Sequence, residues 1–395
     1  MTKPYVLYGM PVSMFTGKAR AHLRKRGVPF QERLVNDPRF GGIIAPSLGR
    51  FMIPVLETPD GAIIQDTADI LDHIEQAFPA PVPIYPTGPR QSVIARIFEL
   101  FGDEGMIRTG MHYRWSFPEQ NHAFIQAGFA AGIAPSAEPS QVPMIAEAPM
   151  AKMGGYLPVL GVTAETIPAI EQAYETLLDA LNQHFRQSPY LLGGVPSVGD
   201  FGLLSSFHAH LGRDPYPADQ MRRRAYFVLR WVERMTAADA DMPEFPDMAQ
   251  AYAADDGLAE TLGPVCAAVA GIYSAELTAQ VEALDRWLAD HPDIASGEPL
   301  QSEDRTRRPR GQLTFDLMGT PVTTSLRAFS VFKLQSVTDA FDRLDPAGRE
   351  SVRAWLAPLG LAQWLDLKAR RRIERIGNCE VWAGLPERAT GPAVL

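Results

Sequence analysis

The sequence predicts a small α/β domain at the N-terminus, an all-helical domain after it, and a mostly helical C-terminal extension. Three observations carry this. Residues 1–80 alternate short apolar runs with one clear amphipathic helix, in the order β-α-β-α-β-β-α. Helical periodicity dominates from Gln91 onward. A chain of 395 residues exceeds what one ordinary core supports, so two or three domains are expected.

The elements follow in order. Tyr5-Val6-Leu7-Tyr8 reads as a strand, residues 15–26 as a helix that Gly27 stops, and residues 28–35 as a second strand. Residues 36–50, with two prolines and three glycines, read as a loop with room for a helical turn. Phe51-Met52-Ile53-Pro54-Val55-Leu56-Glu57 is a proline-led strand, and Pro59-Asp60-Gly61 turns it into a second strand ending at Gln65. Residues 68–78 place Ile70, Leu71 and Ile74 on one helix face. Pro79-Ala80-Pro81-Val82-Pro83 is a linker, which sets domain boundaries at 1–80, 88–240 and 244–395. Within the second domain, residues 130–150, rich in Ala, Pro and Ser, read as a long loop between helices. Helices resume over 164–185, 200–211 and 221–236. In the extension the pattern gives a helix over 258–291, a charged linker over 296–311 and a hairpin pairing 313–317 with 322–326. Helices follow over 332–376, then a frayed tail from Gly384.

Composition excludes several classes. An apolar fraction of 46% with 21% charged residues is that of a globular protein. The net charge of −9 disfavours non-specific binding to nucleic acid or an anionic membrane. The first residues lack the apolar core of a signal peptide, and no run of about 18 apolar residues suggests a spanning helix. The two cysteines, Cys266 and Cys379, rule out a C-x-x-C motif or a cysteine zinc site and fit a reducing compartment. A cytoplasmic protein without a metal site is expected.

The chemistry concentrates near Pro54. An X-Pro bond at the head of a strand turns the neighbouring backbone N–H and C=O groups out of the sheet. Asp66 and Thr67 open a helix, where free N–H groups favour an anion. Together these residues make a cradle for an extended, charged, peptide-like ligand.

Four segments in this order and spacing resemble the cytosolic glutathione transferases, over residues 4–236. Ser13-Met14-Phe15-Thr16-Gly17-Lys18-Ala19-Arg20, after a strand and a loop, is similar to the serine-type opening of that family. Ile53-Pro54-Val55-Leu56 is similar to its cis-proline segment, and Asp66-Thr67 stands where the family has an acidic residue followed by Ser or Thr. Tyr190-Leu191-Leu192-Gly193-Gly194, with Pro196, Ser197 and Asp200, resembles its helix-capping motif. The resemblance implies a thioredoxin-like N-terminal domain, a helical second domain, glutathione as co-substrate, a small electrophilic second substrate and a homodimer. It implies that Ser13 donates to the glutathione sulfur, that Ile53 and Pro54 meet the cysteinyl backbone, and that Asp66 and Thr67, with Gln65, take the γ-glutamyl end. The basic residue the family often has before Ile-Pro is Met52 here, which leaves Arg50 as the substitute cation.

Other readings of the same residues stay open. Ser13 and Thr67 also read as plain helix caps, and Tyr8 is an alternative thiol activator. Ser197 and Asp200 form a capping box of structural value. Glu104, Arg108, Met111, His112 and Trp115 read as packing before they read as pocket wall, and the arginines of 368–375 as a solvated helix face. A non-catalytic binding or scaffold protein is the competing function. A third expectation has the extension covering the pocket and restricting it to one bulky substrate.

Overall fold

The computed structural model describes residues 3–384. Strand β1 (Tyr5–Gly9) leads into helix α1 (Met14–Lys25), and β2 (Phe30–Leu34) returns parallel to β1. A π-helical turn (Phe40–Ile44) and the short helix α2 (Ala45–Leu48) fill the segment expected to be mainly loop. Strands β3 (Val55–Glu57) and β4 (Ile63–Gln65) and helix α3 (Thr67–Ala77) complete the unit. The sheet order is β2-β1-β3-β4, with β3 antiparallel to both neighbours and β4 at the edge. Alternation along β1 and β3 decides what each face buries. Leu7 and Leu56 pack under α1 and α3 with Ala19, Leu23, Ile70 and Ile74. On the other face Tyr8 and Val55 pack against Phe40, Ile44 and Leu48. The thioredoxin-like order is the one expected.

The helical part comprises α4 (Pro89–Leu100), α5 (Ile107–Trp115), α6 (Pro118–Ile133), α7 (Val142–Gly154), α8 (Ile167–Phe185), α9 (Val198–Ala209), α10 (Pro215–Arg224) and α11 (Tyr226–Thr236). The expected loop at 130–150 is instead the end of α6, a short connection and α7. Its prolines misled: Pro139 opens a 3₁₀ turn and Pro143 sits in the first turn of α7, where no donor is lost. The capping box of Ser197 and Asp200 is present, and Asp200 also accepts from Leu191 N and Trp231 Nε1.

The extension holds α12 (Leu262–Asp290), the hairpin β5 (Gln312–Leu317) and β6 (Thr320–Ser325), then α13 (Ala328–Asp342) and α14 (Pro346–Leu356). Helix α12 runs through Gly263, Pro264 and Gly271, because a proline in the first turn costs no hydrogen bond. By length and composition α12 could cross a bilayer, contrary to the sequence expectation; half of its most apolar window is buried inside the protein. The chain ends differently from the helices expected over 332–376. Residues Ile373–Ile376 and Cys379–Trp382 are strands β7 and β8 of a tight hairpin, turning at Gly377 and Asn378. The tail expected to fray lies almost wholly outside the described residues.

The extension shares one continuous core with the helical part. Phe98, Leu177, Phe201 and Trp231 join Val265, Tyr273, Trp364 and Trp382 in a single cluster. Buried ion pairs link the same pieces. Lys18 on α1 and Lys333 on α13 both grip Glu99 and Asp103, at 2.8–3.1 Å. Beside them Arg327 bridges Glu104 and Glu276, Arg108 meets Glu276, and Ser330 donates to Glu104. Each group balances two cations against two carboxylates, as burial requires.

Candidate functional site

Backbone register gathers the motifs at one end of the sheet. Tyr8 pairs with Val55, so the same register sets Ile53 beside Met10; Val55 pairs with Gln65, which sets Asp66 beside Pro54. The Ile53–Pro54 bond is cis, and among the described residues no sheet or loop hydrogen bond uses the N–H or C=O of Ile53.

Ser13 caps α1. Its backbone is extended (φ −83°, ψ 128°) and its Oγ accepts from Thr16 N at 3.2 Å. That bond uses an oxygen lone pair and leaves the hydroxyl proton free to donate outward. The loop before it is pinned from three sides. Ser13 N donates to Met10 O at 3.1 Å, Arg114 Nη1 donates to Val12 O at 2.9 Å, and Arg213 donates to Pro11 O. Arg114 is itself buried against Asp214, so the helical part fixes the serine's position. Met10 and Val12 pack against Ile125, Phe129, Ala146 and Met150 of α6 and α7, with Ile53 and Trp115 at the margin. An apolar wall thus stands beside Ser13. The closest approach is at Gly132, where a Cβ would lie 2.2 Å from the Met10 methyl.

Asp66 caps α3 by accepting from Ala68 N at 2.9 Å, with φ 84° and ψ 140°. A non-glycine residue held there is strained, and such strain concentrates where function needs a fixed geometry. Thr67 is the buried first residue of α3. Tyr8 is turned away from Ser13: it lies on the Phe40 face, and its hydroxyl donates to Glu57 at 3.0 Å. Burial and the Glu57 carboxylate push the phenol up to about 12, and its one proton is engaged by Glu57.

The Arg50 guanidinium, expected at the Met52 end, is bonded within the chain. It reaches Gln65 Oε1 at 2.5 Å, Asn378 O at 2.6 Å and Glu380 at 3.2 Å, while Met52 is exposed. Gln65 is buried by residues that sequence reasoning missed. Arg375 pairs with Glu380 at 2.7 Å and Asp69 at 2.8 Å, and lies 3.9 Å from Asp66. Burial raises the Asp69 carboxyl to about 6, with Arg375 opposing the rise. The basic run at 368–375 is therefore no solvated helix face: Arg371 is buried, donating to Ala383 O and Ile294 O, and Arg375 is half-buried in the β7–β8 hairpin. The missed signal was Gly377-Asn378 between two β-capable runs, a two-residue hairpin turn.

Of the helix stripe, Glu104 and Arg108 serve the extension's ion pairs, Met111 is core, and His112 meets Ser116 and Glu171; Trp115 alone borders the Ser13 loop. No group of three metal-ligating side chains occurs among the described residues.

Residues 7–82 match the family model described as glutathione S-transferase, N-terminal domain. The resemblance read from the sequence holds over that segment. No curated protein matches the chain. Among solved structures, the chain is similar to a beta-etherase from Sphingobium sp. strain SYK-6 at 17% identity, covering 62% of this chain and 99% of that one, with a TM-score of 0.42. It is similar to a glutathione transferase from Phanerochaete chrysosporium at 16% identity, covering 60% and 98%, TM-score 0.43. It is also similar to a glutathione S-transferase from Methylobacterium radiotolerans in complex with glutathione sulfonate, at 19% identity, covering 64% and 96%, TM-score 0.36.

Proposed function

We propose that this protein is a glutathione-dependent transferase-type enzyme in which Ser13 stabilises the thiolate of glutathione for attack on a small electrophile. The carrying observation is the convergence of a half-buried serine hydroxyl at a helix N-terminus, the unused backbone groups of Ile53 and the capping Asp66 at one end of the sheet. The match of residues 7–82 to the glutathione S-transferase N-terminal domain supports the same reading.

The chemistry needs little from the protein. A thiol of pKa about 8.5 must fall by roughly one to two units to be mostly ionised at neutral pH, at about 1.4 kcal/mol per unit. One hydrogen bond from the Ser13 hydroxyl to the charged sulfur is worth about 1.5–3 kcal/mol, and the α1 dipole adds to it. The proton leaves to solvent. The sulfur lone pair then forms the S–C bond as the leaving group departs with the electrons of the broken bond. The wall from α6 and α7 receives an apolar electrophile beside the sulfur.

The test is glutathione binding at millimolar concentration, followed by turnover of an activated aryl halide by Ser13→Ala. Absence of binding defeats the enzyme reading, and undiminished turnover defeats the role given to Ser13. A second reading, a non-catalytic binding protein, draws on one observation: Gln65 and Arg50 are already bonded within the chain.

A further inference from the structure

The β7–β8 hairpin belongs to the extension, yet it brings a cation to the edge of the N-terminal sheet. Its root is fixed: Ile373 and Trp382 are buried in the helical core, and Trp382 stacks on Trp287 at 5.8 Å with the rings 11° from parallel. Its tip covers the open edge of β4, where Asn378 Oδ1 accepts from Gln65 N at 2.9 Å and Asn378 Nδ2 donates to Ile63 O at 3.2 Å. Between root and tip, Arg375 is held from several sides. Its Nη2 donates to Gln65 O at 2.8 Å and to Gln65 Oε1 at 2.9 Å, its Nη1 donates to Glu380 at 2.7 Å, and its Nε lies 2.8 Å from Asp69. A guanidinium has five N–H groups, so these contacts leave one N–H of Nη1 uncommitted. Beyond Glu380, the acidic oxygen near Nη1 is Asp66 Oδ2 at 3.9 Å, too far for a hydrogen bond. Asp66 is half-used in the same way. Its Oδ1 accepts from Ala68 N, and no hydrogen bond among the described residues ends on its Oδ2.

Resting on the glutathione reading above, these two half-used groups meet a specific need. The γ-glutamyl end of glutathione carries an ammonium and a carboxylate on one carbon. Asp66 suits the ammonium, but alone it would repel the carboxylate that arrives with it. The N-terminus of α3 offers about half a unit of positive charge, less than a full carboxylate requires. Arg50 has its guanidinium committed to Gln65, Asn378 and Glu380. Among the described residues, Arg375 is the one cation within 4 Å of the Asp66 carboxylate. A guanidinium and a carboxylate that stand close without bonding to each other complement a zwitterion. Gln65 and Glu380 already hold the guanidinium, so binding does not have to order a long side chain. We infer that the extension completes the glutathione site from within the same chain: Arg375 receives the γ-glutamyl carboxylate while Asp66 receives the ammonium. This binding group lies outside residues 7–82, the segment matched to the N-terminal domain, so the folded extension takes part in recognising the substrate.

Calorimetric titration of the full chain tests this with three ligands: glutathione, γ-aminobutyryl-cysteinylglycine, which lacks the α-carboxylate, and glutaryl-cysteinylglycine, which lacks the ammonium. The wild type is expected to bind glutathione about tenfold more tightly than either analogue. In Arg375→Gln the advantage over the carboxylate-free analogue should largely disappear, while the advantage over the ammonium-free analogue is kept. Arg375→Lys, which retains the charge without the planar fork, should recover part of the lost advantage. A merely loosened hairpin would weaken all three ligands alike. Asn378→Ala, which removes a tip contact and leaves the guanidinium, is therefore expected to keep the wild-type ratios. Equal binding of glutathione and the carboxylate-free analogue by the wild type would overturn the inference without any variant. So would an Arg375→Gln protein that keeps the wild-type ratios, or an Asn378→Ala protein that loses them as fully. Those outcomes leave the glutathione reading standing, whereas failure of every form to bind any of the three ligands would defeat that reading and this inference with it.

Discussion

Replacing Lys333 by methionine removes one of two ammonium groups that neutralise Glu99 and Asp103 between α1, α4 and α13. Lys333 Nζ lies 3.1 Å from a carboxylate oxygen of each acid, and all four side chains are almost fully buried. At an effective dielectric near 20 each contact is worth about 5 kcal/mol, set against the desolvation of the lysine that methionine does not bear. The loss has a ceiling, because the stranded acid can take a proton. Burial already raises the Asp103 carboxyl, while the two ammonium groups overcome burial to hold Glu99 below the usual carboxylate range. Keeping Asp103 protonated at pH 7 against an unfolded pKa near 3.9 costs at most about 4 kcal/mol, and at pH 5 about 1.5 kcal/mol. The folded-state pKa is raised, so the penalty is absent below the unfolded pKa and grows as pH rises above it. Urea unfolding followed by tryptophan fluorescence should therefore show Lys333→Met about 3–4 kcal/mol less stable at pH 7 and about half as impaired at pH 5. The double variant with Asp103→Asn restores one cation to one anion and should recover most of the loss. A deficit under about 1 kcal/mol at pH 7, or one that does not shrink at pH 5, would refute the claim that the extension docks through a dry, charge-balanced cluster.

Three further predictions follow from the same packing. His184 donates from Nε2 to Tyr190 O and accepts from the Thr261 hydroxyl at Nδ1, and burial lowers it to about 4. Its folded pKa is depressed below 6.5, so stability falls as pH drops from 6.5 toward 4, by up to about 3 kcal/mol. His184→Gln should flatten that part of the pH–stability curve, and an unchanged slope would count against it. Gly202→Ala would set a Cβ 2.5 Å from the Glu99 Cα where α4 crosses α9, and backbone cannot yield. A loss near 3 kcal/mol by thermal unfolding is expected, and a neutral result contradicts that close approach. Ser13→Ala should cost about 1 kcal/mol of stability as a lost cap, and Ser13→Thr much less; equal stability of all three forms would remove Ser13 as a cap.

What was legible in the sequence is what local chemistry decides. The β1-loop-α1 opening, Ile53-Pro54 and Asp66 announce themselves through turn and cap residues within a few positions, and the structure brings them to one end of the sheet. The capping box at Ser197 is equally local. The misses are of two kinds. Prolines in residues 130–150 read as breakers, yet Pro139 and Pro143 sit in first turns and Pro149 is carried inside α7, a distinction that depends on where the helix starts and what it packs against. The arginines of 368–375 read as a solvated face because their partners are far away in the chain: Asp66, Asp69 and Gln65, some 310 residues off, for Arg375, and Ile294, 77 residues off, for Arg371. The destination of Arg50 was hidden for the same reason, since Asn378 and Glu380 exist beside it only once the extension has folded back onto β4. Sequence spacing carries no sign of such pairings.

The central claim is that Ser13 stabilises a thiolate, and titrating the bound thiol tests it most directly. Following thiolate absorbance of the complex against pH, with Ser13→Ala beside the wild type, should show the wild-type thiol ionising about one to two units below the free value of roughly 8.5. In Ser13→Ala it should return most of the way to that value. A bound thiol that titrates at the free value in the wild type, or at the same lowered value in both proteins, would contradict the account.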